Sequence, residues 1–180
     1  VGLGAIGSLV ADMGLKLDMH VVGFDPELSV DAAWRLSNKT QKMENIRSLF
    51  SKSDYVSLHL PVLETTRNMI NHETIRFFKP GARLLNFSRG ELVDSAAVLA
   101  ALEKGPLARY VTDFPAPELI GKKGVISLPH IGASTAEAED ACAVLAVNQV
   151  IDFLENGNIT NAVNFPTSYL DRSSEYRIAL

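Results

Sequence analysis

Short apolar runs, each closed by Pro, Gly, Asp or Asn, alternate along the chain with stretches whose apolar positions recur every three to four residues. After a glycine-rich start, residues 5–17 predict a helix. Residues 19–25 (Met19-His20-Val21-Val22-Gly23-Phe24-Asp25) predict a buried strand, stopped by Pro26. A short amphipathic helix over 44–52 and a strand over 55–60, ended by Pro61, come next. Asn71 suits the N-cap of a helix over 71–78, and Lys79-Pro80-Gly81 makes a turn. Residues 82–87 predict a strand, 94–104 a helix closed by Gly105, and 108–113 and 124–128 two further strands. The longest helix is expected over 134–156. Ser134 and Glu137 stand at capping-box spacing, and Gly157 is placed to close its C-terminus. Its apolar positions cover much of the circumference, which predicts burial on more than one side.

The β-α-β-α-β order predicts an α/β fold, a doubly wound parallel sheet. Residues 1–157 make one domain on this reading, including the long helix, and 158–180 an exit segment with little periodicity. The first strand of such a sheet is central. Here the chain opens at Val1 and is already in a glycine turn, so the sequence reads as a piece of a longer protein lacking most of that strand.

The turn is Gly2-x-Gly4-x-x-Gly7, leading straight into the first helix. In such a turn the first glycine permits the bend, the second lets backbone approach a pyrophosphate, and the third lets helix pack on strand. The helix N-terminus then offers N–H groups and partial positive charge to the phosphates. Asp25 ends the next strand, 18 residues after Gly7, close to the spacing at which an acid accepts hydrogen bonds from the adenosine ribose. A carboxylate there repels a 2′-phosphate, which favours NAD over NADP.

Three more polar residues follow strand ends: Arg89, Glu118 and His130. In a parallel sheet all of them emerge at the carboxyl edge, beside the glycine turn. A guanidinium, a carboxylate and an imidazole suit hydride exchange with a 2-hydroxy or 2-oxo acid. Arg89 can fork onto the substrate carboxylate, and His130 can exchange a proton with the substrate oxygen near neutral pH. A neighbouring Glu118 would fix the ring and favour its charged form.

Composition narrows the alternatives. The net charge of −4 lacks the basic stripe of a nucleic-acid binder, and no apolar run reaches the length of a membrane span. The single Cys142 allows no intrachain disulfide or cysteine metal cage and reads as a small buried residue on the long helix. No metal is expected.

The order of these segments resembles the D-2-hydroxyacid dehydrogenases. Asn86-Phe87-Ser88-Arg89-Gly90 with Leu92-Val93-Asp94 is similar to the family's arginine segment. Asp113-Phe114-Pro115-Ala116-Pro117-Glu118 is similar to its glutamate segment, and Pro129-His130-Ile131-Gly132-Ala133-Ser134-Thr135 to its histidine segment. Residues 53–61 resemble its central strand. The resemblance implies catalytic roles for Arg89, Glu118 and His130. It implies NAD contacts from Gly2, Gly4, Ala5, Ile6, Gly7, Asp25, Phe87, Ser88, Arg89, Asp113, His130, Ile131, Gly132 and Ala133. Ala162-Val163-Asn164-Phe165-Pro166 resembles a branch acting on a phosphorylated 2-hydroxy acid. A homo-oligomeric, cytoplasmic enzyme is implied, with its substrate lobe built largely from sequence before the glycine turn. Phe87 stands where the family commonly has a small residue. A non-catalytic NAD(H) sensor of the same fold is the alternative from another class.

Overall fold

The computed structural model describes residues 1–162 and 164–171. Val163, in the tail segment singled out above, lies outside the described residues. The chain forms two compact units, Val1–His130 and Ile131–Leu180.

In the first unit, α1 (Ala5–Lys16) follows the glycine turn and leads to β1 (Val22–Gly23). Then come α2 (Val30–Arg35), β2 (Gln41–Lys42), α3 (Ile46–Lys52), β3 (Tyr55–Leu58), α4 (His72–Ile75) and β4 (Ala82–Asn86). After β4, α5 (Ser95–Lys104), β5 (Leu107–Thr112) and β6 (Val125–Ser127) complete the unit. All the strand pairs are parallel. One ladder is β3-β4-β5-β6 and the other β1-β2.

The two ladders are joined by the first three residues. Gly2 N–H donates to Phe24 O (3.0 Å) at the end of β1, while His59 N–H donates to Val1 O (2.9 Å) beyond β3. Val1–Leu3 therefore occupies the central place of the first strand. The resulting order is β2-β1-(1–3)-β3-β4-β5-β6, a doubly wound arrangement whose direction of winding reverses at the glycine turn.

The central strands β3, β4 and β5 are short and carry the buried positions of the sheet. Val56, Leu58, Leu84 and Tyr110 are fully buried, packed with Phe50 from α3, Ile75 from α4 and Val98 from α5. Helix starts are fixed by side chains that satisfy first-turn N–H groups. Asn45 caps α3, Asp94 caps α5, and Asn71 forms a capping box with Thr74 on α4.

Two elements were not foreseen, α2 and β2. The β2 pair, Gln41 and Lys42, is exposed and carries no apolar alternation. It is held by backbone alone, through Gln41 N–H to Val21 O and Met43 N–H to Gly23 O. The expected strand over 19–25 contracts to two paired residues for the same reason: its neighbour is short.

In the second unit, α6 (Ala136–Asn156) is capped by Thr135, whose hydroxyl accepts from Ala138 N–H at 3.2 Å. The expected cap at Ser134 is displaced by one residue, because Ser134 N–H closes a turn onto Ile131 O. Gly157 takes the left-handed conformation (φ 70°) that ends the helix, as expected. The expected burial of α6 is not found: no α6 residue is buried, and Cys142 is exposed. Apolar periodicity marks a surface able to be covered and does not supply the covering partner. Ile159 and Ser168 pair antiparallel after the helix.

Candidate active site

Because the strands run parallel, the residues that follow them collect at one edge of the first unit. The glycine turn lies there, packed against the end of β3. Gly2 has φ +80°, and a Cβ on it would lie 2.4 Å from the His59 carbonyl oxygen. A Cβ on Gly7 would lie 1.9 Å from Gly2 O. Backbone meets backbone at both positions, so neither tolerates a side chain. At Gly4 an added Cβ would meet no heavy atom within 4 Å. Chain packing does not demand that glycine, and the open space beside it is what a pyrophosphate approaching the backbone needs.

Gly4 is also the N-cap of α1. It brings no capping side chain, and the first turn, Ala5-Ile6-Gly7, has no acidic residue. The N-terminal N–H groups and the positive end of the helix dipole are therefore left for an anion. Asp25 stands alongside. One of its carboxylate oxygens accepts from Leu3 N–H (2.8 Å) and the other from Glu27 N–H (3.0 Å). The side chain is thus fixed against the glycine turn, and each oxygen retains a lone pair for a hydroxyl donor.

After β4 the chain is held by a buried amide. Asn86 is 0% exposed; its Oδ1 accepts from Ser88 N–H (3.1 Å) and its Nδ2 donates to Arg89 O (2.9 Å). Ser88 Oγ donates to Leu58 O (2.5 Å), tying this turn to the end of β3. Phe87 is partly exposed. Arg89 is oriented by a bond from Nη1 to Ser88 O (2.7 Å), which leaves most of its donors unused.

After β5 and β6, Asp113 and His130 meet: Oδ2 of Asp113 lies 2.8 Å from Nδ1 of His130. The carboxylate is largely covered and the imidazole half exposed, with 11% and 50% of each side chain accessible. The expected partner of the ring was Glu118. It is exposed instead, on the 3₁₀ turn Pro117–Leu119 whose Leu119 is buried, and makes no hydrogen bond or ion pair among the described residues. Asp113 reaches the ring from the strand end itself, five residues earlier. Its other oxygen, Oδ1, is buried without a hydrogen-bond partner among the described residues. An orphaned buried acceptor next to the imidazole fits a ligand N–H such as that of a carboxamide.

Ile131, Gly132 and Ala133 belong to the second unit and are exposed in the turn before α6. Sequence reasoning missed Asn86 as the clamp of the arginine turn. A buried Asn at a strand end, two residues before Ser88, is the signal that would have found it. The His59 segment, at the end of β3, closes on the glycine turn through the bond from His59 N–H to Val1 O. Burial lowers the His59 imidazole from the usual 6.5 to about 4. Among the described residues no group of three or more His, Cys, Asp or Glu could hold a metal ion, and no helix is long and apolar enough to cross a membrane.

A parallel sheet with a glycine turn at its reversal point, and with a carboxylate–imidazole pair and an arginine following strands at the same edge, is the arrangement of a dinucleotide-binding domain of an oxidoreductase. Comparison with known proteins makes this specific. Residues 1–133 match the family model described as D-isomer specific 2-hydroxyacid dehydrogenase, NAD binding domain. D-3-phosphoglycerate dehydrogenase of Synechocystis sp. is 36% identical over 172 residues, covering 92% of this chain and 30% of that protein. The enzyme of the same name from Bacillus subtilis is 33% identical, with 98% of this chain and 34% of that protein covered. The NAD-complexed D-isomer specific 2-hydroxyacid dehydrogenase of Lactobacillus delbrueckii ssp. bulgaricus superposes with a TM-score of 0.78 at 25% identity, covering 91% of this chain and 54% of that one. D-lactate dehydrogenase from Aquifex aeolicus, complexed with NAD and lactic acid, gives 0.70 at 29% identity, with 85% and 51% covered. The chain belongs to the D-isomer specific 2-hydroxyacid dehydrogenase family and is its NAD-binding domain. It spans about a third of the length of the curated relatives it matches.

Proposed function

We propose that the protein carrying this domain oxidises a D-2-hydroxy acid to the 2-oxo acid, and that His130, Arg89 and Glu118 are its catalytic residues. NAD, when bound, supplies the acceptor for the substrate's hydride. The domain's own residues do the rest. Gly2, Gly4, Ala5, Ile6 and Gly7 present backbone to the pyrophosphate, and Asp25 accepts from the ribose hydroxyls. Asp113 offers its unpartnered oxygen to the nicotinamide end. Phe87, Ser88, Arg89, His130, Ile131, Gly132 and Ala133 complete the cofactor contacts on this reading.

Arg89 holds the substrate carboxylate with a fork of donors. His130 takes the hydroxyl proton at Nε2, the nitrogen that the Asp113 bond leaves open. As the imidazole becomes imidazolium, Asp113 compensates the new charge from 2.8 Å away. Glu118, five residues after Asp113, is the second carboxylate on this reading. The observation that carries this reading is the His130–Asp113 pair, at the same sheet edge as the glycine turn and Arg89.

The substrate we propose first is 3-phospho-D-glycerate, giving 3-phosphohydroxypyruvate, the opening step of the phosphorylated route to L-serine. The curated relatives named above and the 162–166 segment support it. A second reading is an unphosphorylated 2-hydroxy acid, favoured by the structural neighbours, whose names include D-lactate, D-mandelate and D-2-hydroxyisocaproate dehydrogenases. Turnover by the full-length protein across these acids, with NAD and with NADP, tests both. His130→Asn is expected to lower kcat by roughly two or more orders of magnitude while NADH still binds. Activity close to wild type in that variant would remove His130 from the mechanism.

A further inference from the structure

The Asp113 bond fixes the distance of the His130 ring but not its plane. One hydrogen bond at Nδ1 leaves the imidazole able to swivel, and half of the side chain is exposed. A second contact limits that freedom. The Phe114 ring lies 4.2 Å from the His130 ring, centroid to centroid, with the planes inclined by 42°. The same ring lies under Arg89, whose guanidinium carbon is 5.6 Å from its centroid. Phe114 therefore touches the imidazole and the guanidinium together.

That arrangement bears on an electrostatic difficulty. Two cationic groups must work on one small substrate, and a charged imidazole beside a guanidinium is repelled. An aromatic face carries a negative quadrupole and attracts both cations. Leucine would fill a similar volume without that face. The backbone on either side of this contact is anchored. Phe114 N–H donates to Oγ1 of Thr112 (3.0 Å), which is fully buried, and Arg89 O is held by Asn86.

We propose that Phe114 is a positioning residue: an aromatic wall that sets the plane of the His130 imidazole and the offset of the Arg89 guanidinium. This rests on the reading of His130 and Arg89 as catalytic, and the experiment has one arm that does not. In the full-length protein, Phe114→Leu is expected to raise KM for the 2-oxo acid and lower kcat, with kcat/KM falling roughly tenfold or more. NADH affinity should stay near that of wild type, and Phe114→Tyr should recover most of the loss. A Leu variant matching wild type in kcat/KM, or a Tyr variant as impaired as Leu, would overturn the proposal. Phe114→Met replaces the Leu variant if the latter no longer binds NADH.

The second arm needs no turnover. Carbethoxylation of His130 by diethyl pyrocarbonate, followed by peptide mass mapping, should be several-fold faster in Phe114→Leu and near the wild-type rate in Phe114→Tyr. Equal rates in all three proteins would also overturn the proposal. A wild-type protein that reduces no 2-oxo acid, together with faster labelling of the Leu variant, would sink the dehydrogenase reading and leave the aromatic wall standing.

Discussion

Single side chains divide the cofactor site into a part the chain's own packing requires and a part it does not. Gly2 and Gly7 are required by backbone contact, whereas Gly4 faces open space. Asp25 takes N–H groups from Leu3 and Glu27, one on each oxygen, and each oxygen keeps a lone pair for a further donor. Asp25→Ala is expected to weaken NAD binding by about tenfold or more and to narrow the preference for NAD over NADP. Binding titrations with the two cofactors check this, and an unaltered preference would take the ribose role from Asp25. At this scale the gathering of Gly2, Gly4, Gly7, Asp25, Arg89 and His130 at strand ends was legible, because they stand at spacings that carry mechanical meaning. Asp113 as the ring's partner was not. Its choice over Glu118 depends on β5 ending at Thr112 and on the following chain rising into a 3₁₀ turn.

Elements were legible where one side chain fixes an end or one face is buried. Asp94 accepts from Ala96 and Ala97 N–H and so starts α5, which lays Ala97, Val98 and Ala101 into the core. Asp94→Ala should cost about 1 kcal/mol of unfolding free energy in urea denaturation. A loss below the error of that measurement would mean that packing alone starts the helix. β2 was illegible because its pairing is carried by backbone N–H and C=O groups that every residue shares. The start of α6 shows the complementary limit. Ser134 and Thr135 are both able caps, and the turn closed by Ser134 N–H leaves Thr135 to do it.

On the scale of the whole first unit, Val1–Leu3 joins two ladders that would otherwise stand apart, and His59 lies at that junction. Its Nε2 is 2.9 Å from Ser57 Oγ, and its backbone carries the glycine turn. Burial holds its imidazole neutral down to about pH 4, against 6.5 in the unfolded chain. The unfolded state therefore binds the proton first as pH falls. The His59 contribution is intact above pH 6.5, declines as pH drops below it, and is gone once pH has passed about 4. Urea midpoints measured between those limits should fall in the wild-type chain and fall less in His59→Gln; parallel slopes would refute the assignment. By itself the sequence determined the alternation of strand and helix, the parallel sheet this forces, and the residues that stand at strand ends. Those properties follow from local periodicity and from the handedness of β-α-β connections. Tertiary structure alone decided which of the gathered groups touch: Asp113 on His130, Phe114 against the imidazole and the guanidinium, Asn86 on the arginine turn. Contacts of that kind depend on where each strand stops relative to its neighbour, a distance of one or two residues that no single segment encodes.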